Sequence, residues 1–295
     1  MPSLEEMPDI VMKNILEFAG FQAIMTLRKV SHGLRNFIDD TLPEVYFDVI
    51  HITMDPGKVI FHWMINSIIV IIKYQKDDNG CMVINEEKKK LLPNMDYLTV
   101  CLEDFERTLK HQKSIIEGFH LYLDKRVDHQ TSQTFSKTLK NIFQNHQLKV
   151  EHVDLGVMNP RDFLSILPFV SSKTLKDINL FNTQYSTKYI CLDEFSKLDQ
   201  WKNAEEIEIR NYWIVSKVED FSHFSNINVD FKDLNAEDLV VFKEVLLINY
   251  ICSNEKFHFR QPSKIRNLKD FKSDIFISMI LVESLASWDH LHTFQ

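Results

Sequence analysis

A chain of 295 residues with 44% hydrophobic and 26% charged side chains, and only 6 Gly and 8 Pro, is globular, which excludes fibrous and disordered classes. Its formal charge of −8 excludes an overall attraction to nucleic acid or anionic lipid, since both are polyanions. The cysteines, Cys81, Cys101, Cys191 and Cys252, form no C-x-x-C pair, and with no N-x-[ST] sequon or leader-like start they point to a reducing, intracellular compartment, cytoplasmic and/or nuclear.

Residues 4–42 parse into three short helices. Pro8 suits a first helical turn, where an N–H would have no partner in any case. Val11, Ile15 and Phe18 then mark one apolar stripe, with Met12, Leu16 and Ala19 beside it. Gly20 can end this helix in a left-handed conformation. Ile24, Leu27 and Val30 belong to a second helix, and Ser31 caps a third, whose Leu34, Phe37 and Ile38 face inward before Pro43 stops it. So small a module has little interior, and so wide a stripe exceeds what it can cover, so part of the stripe docks on another surface, which in the plainest reading belongs to the rest of the same chain. Residues 1–42 carry four cations against six anions, the wrong sign for a DNA-binding helix-turn-helix.

The most apolar segment, VIFHWMINSIIVIIKY at 59–74, is interrupted by His62, Asn66 and Ser67, and its uninterrupted part falls far short of the roughly 20 residues of a membrane span. Its β-branched run is followed by Asp77, Asp78, Asn79 and Gly80 and a second apolar run, which reads as a hairpin. Lys88, Lys89 and Lys90, preceded by Glu86 and Glu87, read as a solvated helix or loop face.

From Ile116 onward one spacing recurs: apolar, two residues, apolar, one residue, apolar. It occurs as Ile116/Phe119/Leu121, Val150/Val153/Leu155, Leu175/Ile178/Leu180, Ala204/Ile207/Ile209 and Phe224/Ile227/Val229, with a weaker copy at Phe257/Phe259. The last positions of successive copies lie 34, 25, 29, 20 and 30 residues apart, the scale of an irregular leucine-rich repeat. Between copies lie the helix-like segments TFSKTLKNIF, PRDFLSILPF, LDEFSKLDQW and NAEDLVVFKEVLL. This alternation predicts an α/β chain: a small three-helix module, then a curved, mainly parallel repeat-like sheet with helices on one face. A nucleotide-binding doubly wound fold is the competing α/β class, but no two of the six glycines are placed for G-x-G-x-x-G or a P-loop.

Within each strand core the middle residue points away from its apolar flanks, because side chains alternate across a sheet. These residues are His120, Asp154, Asn179, Glu208, Asn228 and His258, all polar. They are expected to line the helix-free face and to form a candidate substrate-binding row; the plain alternative is a solvated sheet face.

Catalytic and metal signals in the sequence are weak, which leaves an enzyme with an unrecognised site as a third class of reading. His290-x-His292 lacks a third ligand, Asp77/Asp78 and Glu205/Glu206 read as solvated charge, and there is no H-E-x-x-H, G-x-S-x-G or H-x-E…P-C-x-x-C. Trp63, Trp201, Trp213 and Trp288 sit in apolar context and read as packing residues.

The segment LEEMPDIVMKNILEFAGFQAIMTLRKVSHGLRNFIDD resembles the F-box, in the form much expanded in nematodes, with its MPD start and LRKV…LRNFID end. The resemblance puts Met7 and Pro8 at the usual Leu-Pro, Val11, Ile15 and Leu16 at the first-helix apolar positions, and Leu27, Val30 and Leu34 at the later ones. These are the adaptor-binding residues it implies. The runs ILPFVSSKTLKDINLF, LDEFSKLDQWKNAEEIEIRN and FSHFSNINVDF resemble the FTH domain that follows the F-box in that family. The implied division is an F-box at 4–42, an FTH or leucine-rich-repeat-like substrate-binding domain at 45–262, and an unassigned tail at 263–295. The implied function is that of a non-catalytic substrate receptor. The F-box docks on the Skp-type adaptor of a cullin–RING ubiquitin ligase, and the second domain holds a protein target near the ubiquitin donor, acting through effective concentration. No cofactor, metal, nucleic acid or membrane partner is expected. The alternative is a non-catalytic interaction scaffold acting without the ligase.

Overall fold

The computed structural model describes residues 4–184, 188–233 and 258–259. A 3-10 turn at Leu4–Glu6 leads into α1 (Asp9–Leu27) and α2 (His32–Thr41). Gly20, at φ 71° and ψ 164°, breaks α1 into two segments, a backbone conformation that only glycine adopts without strain. Ser31 caps α2, its Oγ accepting from the Leu34 N–H at 3.1 Å. Arg28 closes the pair with a two-pronged ion pair to Asp39 at 2.6 and 2.8 Å. α1 is apolar enough by length and composition to cross a bilayer; Gly20 breaks it, and Met12, Leu16, Phe21 and Ile24 are buried in the chain's own core while other apolar residues of the helix are exposed.

Five strands follow as an antiparallel meander: β1 (Val49–Asp55), β2 (Lys58–Ile65), β3 (Ile68–Asp77), β4 (Gly80–Asn85) and β5 (Lys88–Pro93). The apolar segment at 59–74 folds back on itself at Asn66 and Ser67, whose φ values of 49° and 63° suit a two-residue hairpin turn. The β3–β4 turn falls at Asp78 and Asn79, where the sequence places a hairpin. The lysines at 88–90 do not form a helix or loop; they begin β5, the last strand of the sheet. Exposed charge on an edge strand discourages pairing with another chain, so this composition suits its position.

The remainder runs α3 (Tyr97–Leu109), β6 (Ile116–Leu123), α4 (His129–Asn145), β7 (Val150–Val157), α5 (Pro160–Phe163), β8 (Asp177–Asn182), β9 (Lys188–Ile190), α6 (Asp199–Asn203), β10 (Glu206–Ile214), β11 (Asn226–Phe231) and β12 (His258–Phe259). These strands and the meander form one sheet in the order β12-β11-β10-β8-β7-β6-β1-β2-β3-β4-β5, with β9 beside β10. Neighbours from β12 to β1 pair parallel, and from β1 to β5 antiparallel. Most pairings of the sheet are thus parallel, and the antiparallel ones belong to the meander, which extends it past β6 with strands that lack the recurrent spacing.

The crossovers also differ from a helix per strand. α4 has 17 residues, but α5 and α6 have 4 and 5, and a 3-10 turn at Val218–Phe221 is the regular structure between β10 and β11. PRDFLSILPF breaks into α5 and a 3-10 turn at Leu167–Phe169, with Ile166 at φ −122° and ψ −55° between them; Pro168 sits in the first turn of the second piece, where its missing N–H is tolerated. NAEDLVVFKEVLL, Cys252, the tail at 263–295 and His290 and His292 lie outside the described residues.

One row of apolar residues crosses the sheet in register: Trp63, Ile50, Phe119, Val153, Ile178, Ile207 and Ile227, all buried. Rings tie the helices to this face. Phe105 of α3 touches Phe61, Trp63 and Phe143 of α4, Phe143 meets Phe119, and Phe21 of α1 meets Phe47 and Trp63. α1, α3 and α4 therefore cover one side of the sheet. Further along, Trp201 packs edge-on to Phe195, Phe221 and Phe224 while its indole N–H donates to the Asp220 carbonyl at 2.9 Å. The buried Gln200 amide donates to the carbonyls of Pro168 and Val170 at 3.1 and 2.7 Å, joining successive crossovers.

Truncating Phe105, which is fully buried at the centre of the ring contacts, is expected to lower stability by about 3 to 5 kcal/mol. Phe18, 91% exposed, should change it by less than about 0.5 kcal/mol when replaced by Ala. Urea unfolding of F105A and F18A beside the parent chain checks the contrast; equal midpoints would refute the packing described.

Candidate functional site

Two surfaces stand out, on opposite sides of the sheet. The first is on α1. A helix turns by 100° per residue, so Val11, Ile15 and Phe18 form one row and Met12 and Leu16 the adjacent one. The structure turns the second row inward, with Leu16 at 0% exposure, and leaves the first in solvent, with Phe18 at 91%. Ile10 and Val30 are also exposed, as is Pro8. Of the residues expected to bind the adaptor, Pro8, Val11, Ile15 and Val30 therefore face out, and Met7 and Leu27 are half-buried. Leu16 and Leu34 are core residues that support the module and offer no surface of their own. Ile10 and Phe18 belong to the exposed set instead; Phe18 was detectable from its place one turn beyond Ile15.

The second surface is the other side of the sheet. There the register aligns His62, His51, His120, Asp154, Asn179, Glu208, Asn228 and, by backbone pairing, His258 in one continuous row. All six residues expected to alternate outward are in it, and His51 and His62 extend it across the meander. The signal for those two was the strict alternation of VIHITMD and KVIFHWMI, whose apolar partners are buried. Part of the row is internally bonded. Asn228 Nδ2 donates to Glu208 Oε1 at 2.7 Å, and His120 Nδ1 stands 4.0 Å from Asp154 Oδ2. His51 is ringed by His62 and His120 at centroid distances of 5.2 and 5.8 Å.

Burial depresses the imidazoles of His51, His62 and His120 below the ordinary 6.5, and neighbouring positive charge adds to it in each. For His120 the Asp154 carboxylate works against that shift. Burial raises Asp154 above the usual carboxylate value. The paired acids Asp78 and Glu205 sit exposed in a turn and ahead of β10, without the enclosure that acid–base catalysis needs. Among the described residues no cluster of His, Cys, Asp and Glu is placed to hold a metal ion.

An N-terminal helical module with an exposed apolar row, ahead of a large sheet covered by helices on one side, defines an α/β protein built from two modules. Family comparison makes it specific: an F-box domain is matched at residues 4–45 and an FTH domain at 132–274, and the chain is an F-box/FTH protein. No curated protein and no solved structure gives a significant match.

The depressed imidazoles set a pH dependence. In the unfolded chain these histidines take up protons near pH 6.5, while in the folded chain His51, His62, His120 and the buried His111 resist until lower pH. The unfolded state then binds more protons, so stability present above 6.5 is lost as pH falls through it toward the folded values. The raised Asp154 acts in the opposite direction, but nearer the carboxylate range. The urea midpoint is expected to drop between about pH 7.5 and 5.5, and His51→Gln/His62→Gln to reduce that slope; a midpoint flat over this interval in the parent chain contradicts it.

Proposed function

We propose that this chain is the substrate receptor of a Skp–cullin–F-box ubiquitin ligase. The observation that carries the reading is the F-box match at 4–45 together with the apolar row it leaves in solvent, Val11, Ile15 and Phe18. A monomer gains nothing from a phenylalanine at 91% exposure, whereas a docking helix gains an anchor. In this reading Pro8, Val11, Ile15, Phe18 and Val30 meet a Skp-type adaptor, and through it a cullin. The sheet carries a protein target on its open polar face, on the row running from His120 through Asp154, Asn179, Glu208 and Asn228 to His258. The chain itself makes and breaks no bond. It raises the concentration of the target at the ubiquitin donor, turning a bimolecular transfer into an effectively intramolecular one. Such work belongs to the cytoplasm or nucleus, and the free thiols of Cys81, Cys101 and Cys191 accord with a reducing compartment.

Co-elution of the purified full chain with a Skp-type adaptor tests this. Ile15→Asp/Phe18→Asp should weaken adaptor binding by at least about tenfold, the effect of losing a hot-spot anchor, with an unchanged far-ultraviolet dichroism spectrum. An adaptor affinity equal to that of the parent chain would sink the docking assignment, and absence of adaptor binding by the parent itself would leave a scaffold that works without the ligase.

A further inference from the structure

On the open face of β7, β8 and β10, three rows lie side by side. The middle row is Asp154, Asn179 and Glu208; the row before it is His152, Asp177 and Glu206; the row after it is Gly156, Phe181 and Arg210. Among the described residues of this patch, four carboxylates stand against one guanidinium. They are poorly neutralised in place. Arg210 Nε is 3.7 Å from Glu208, and Asp154 and Asp177 face the imidazoles of His120 and His152 at 4.0 and 3.5 Å, beyond close ion-pair distance. Burial raises Asp177, and Glu206 adds to it. Asp154 Oδ1 and Asn179 Oδ1, neighbours across two strands, are enclosed and accept no hydrogen bond. Yet the patch is reachable: the side chains of Asp154, Glu208 and Arg210 keep 30%, 33% and 49% of their surface.

The third row adds an apolar ledge. The Phe181 ring lies across Gly156, where any Cβ would collide with it. Tyr122 stacks on that ring at a centroid distance of 6.0 Å and 25°, and the Arg210 guanidinium sits 5.2 Å from its centre. Tyr122, Phe181 and Arg210 thus form a stacked row beside the acidic one.

We propose that this patch binds a basic segment of a partner protein in polyproline-II conformation, with Arg or Lys at every third residue. The proposal rests on the reading of the sheet as the target-binding side and names the class of target. Charge complementarity selects a cation-bearing occupant, and spacing selects its conformation. Asp154 and Glu208 are two strands apart, or about 9.6 Å at a spacing of about 4.8 Å per strand. A polyproline-II chain rises about 3.1 Å per residue with three residues per turn, so positions i and i+3 point the same way about 9.3 Å apart. A β-strand covers a similar distance in three residues but turns the second side chain to the opposite side. An α-helix advances only about 4.5 Å over the same three residues. The ledge of Phe181 and Tyr122 suits the flat, preformed surface that such a segment presents, which prefers aromatic walls.

The test is a fluorescence-polarisation titration of the full chain with a labelled peptide of about four Arg-Pro-Pro repeats. Its controls are the matching Glu-Pro-Pro peptide and one of identical composition with the arginines contiguous. The Arg-Pro-Pro peptide should bind at least about tenfold more tightly than either, and less tightly as salt rises. Asp154→Asn/Glu208→Gln, which keeps side-chain shape, should lose at least about tenfold, and Phe181→Ala should weaken binding without changing its salt dependence. Glu103→Gln, on α3 at the far side of the sheet, should change nothing. Absence of binding, equal binding of either control peptide, or indifference to the Asp154/Glu208 substitutions would overturn the proposal. Adaptor co-elution run on the same preparations separates the two readings. Peptide binding lost with adaptor binding kept removes the target class alone, and the reverse removes the ligase assignment alone.

Discussion

The register between neighbouring strands is the constraint on which this structure depends. Phe119 lies opposite Val153, Val153 opposite Ile178 and Ile178 opposite Ile207, and each stands next to a polar residue in the same strand. Because side chains alternate with a period of two, a slip of one residue anywhere would send His120, Asp154, Asn179 or Glu208 beneath the helices and expose its apolar neighbour. Burying such groups without partners is unfavourable, so the core and the polar row fix one another. The row is a by-product of packing in its placement, whatever it does in its chemistry.

The same constraint explains why irregular crossovers are tolerated. A strand whose inner residues reach the shared row needs only something apolar laid over it, and rings serve as well as helices. Phe105 and Phe143 do this from α3 and α4, whereas Trp201 and Phe221 do it from one-turn segments and Phe224 from the stretch leading into β11. The N-terminal module uses the same face, since Phe21 reaches Trp63 from the second half of α1. Gly20 makes that possible by turning the chain, so the first half of α1 presents its outward row while the second half is seated on the sheet.

What the sequence could reveal follows from the range of the signals. The recurring apolar spacing marks strand cores because it is local, and it located β6, β7, β8, β10 and β11 and the outward residue of each. The residues before and after the polar row, Asp177, Glu206, Phe181 and Arg210, were beyond reach because their grouping depends on cross-strand register. The lysines of β5 were misread because charge on an edge strand looks like charge on any solvated segment. Leu16 and Leu34 illustrate a different limit. Two adjacent rows on one helix are equally apolar, and only the position of Phe47, Trp63 and the rest of the sheet decides which of them turns inward.

The exit from the N-terminal module is stitched to the end of α3. The Val45 N–H donates to the His111 carbonyl at 3.0 Å, the His111 ring meets the Pro43 carbonyl at 3.0 Å, and Lys113 reaches the Leu42 carbonyl at 2.9 Å. A joint of this kind is a bracket and not a tether. On the proposed reading, with the chain mounted on a ligase as its receptor, the reach from mounting point to cargo would be a set length in place of a distribution. Which lysines of a bound protein come within range of the donor would be decided by where they project in space, with little regard to the sequence around them.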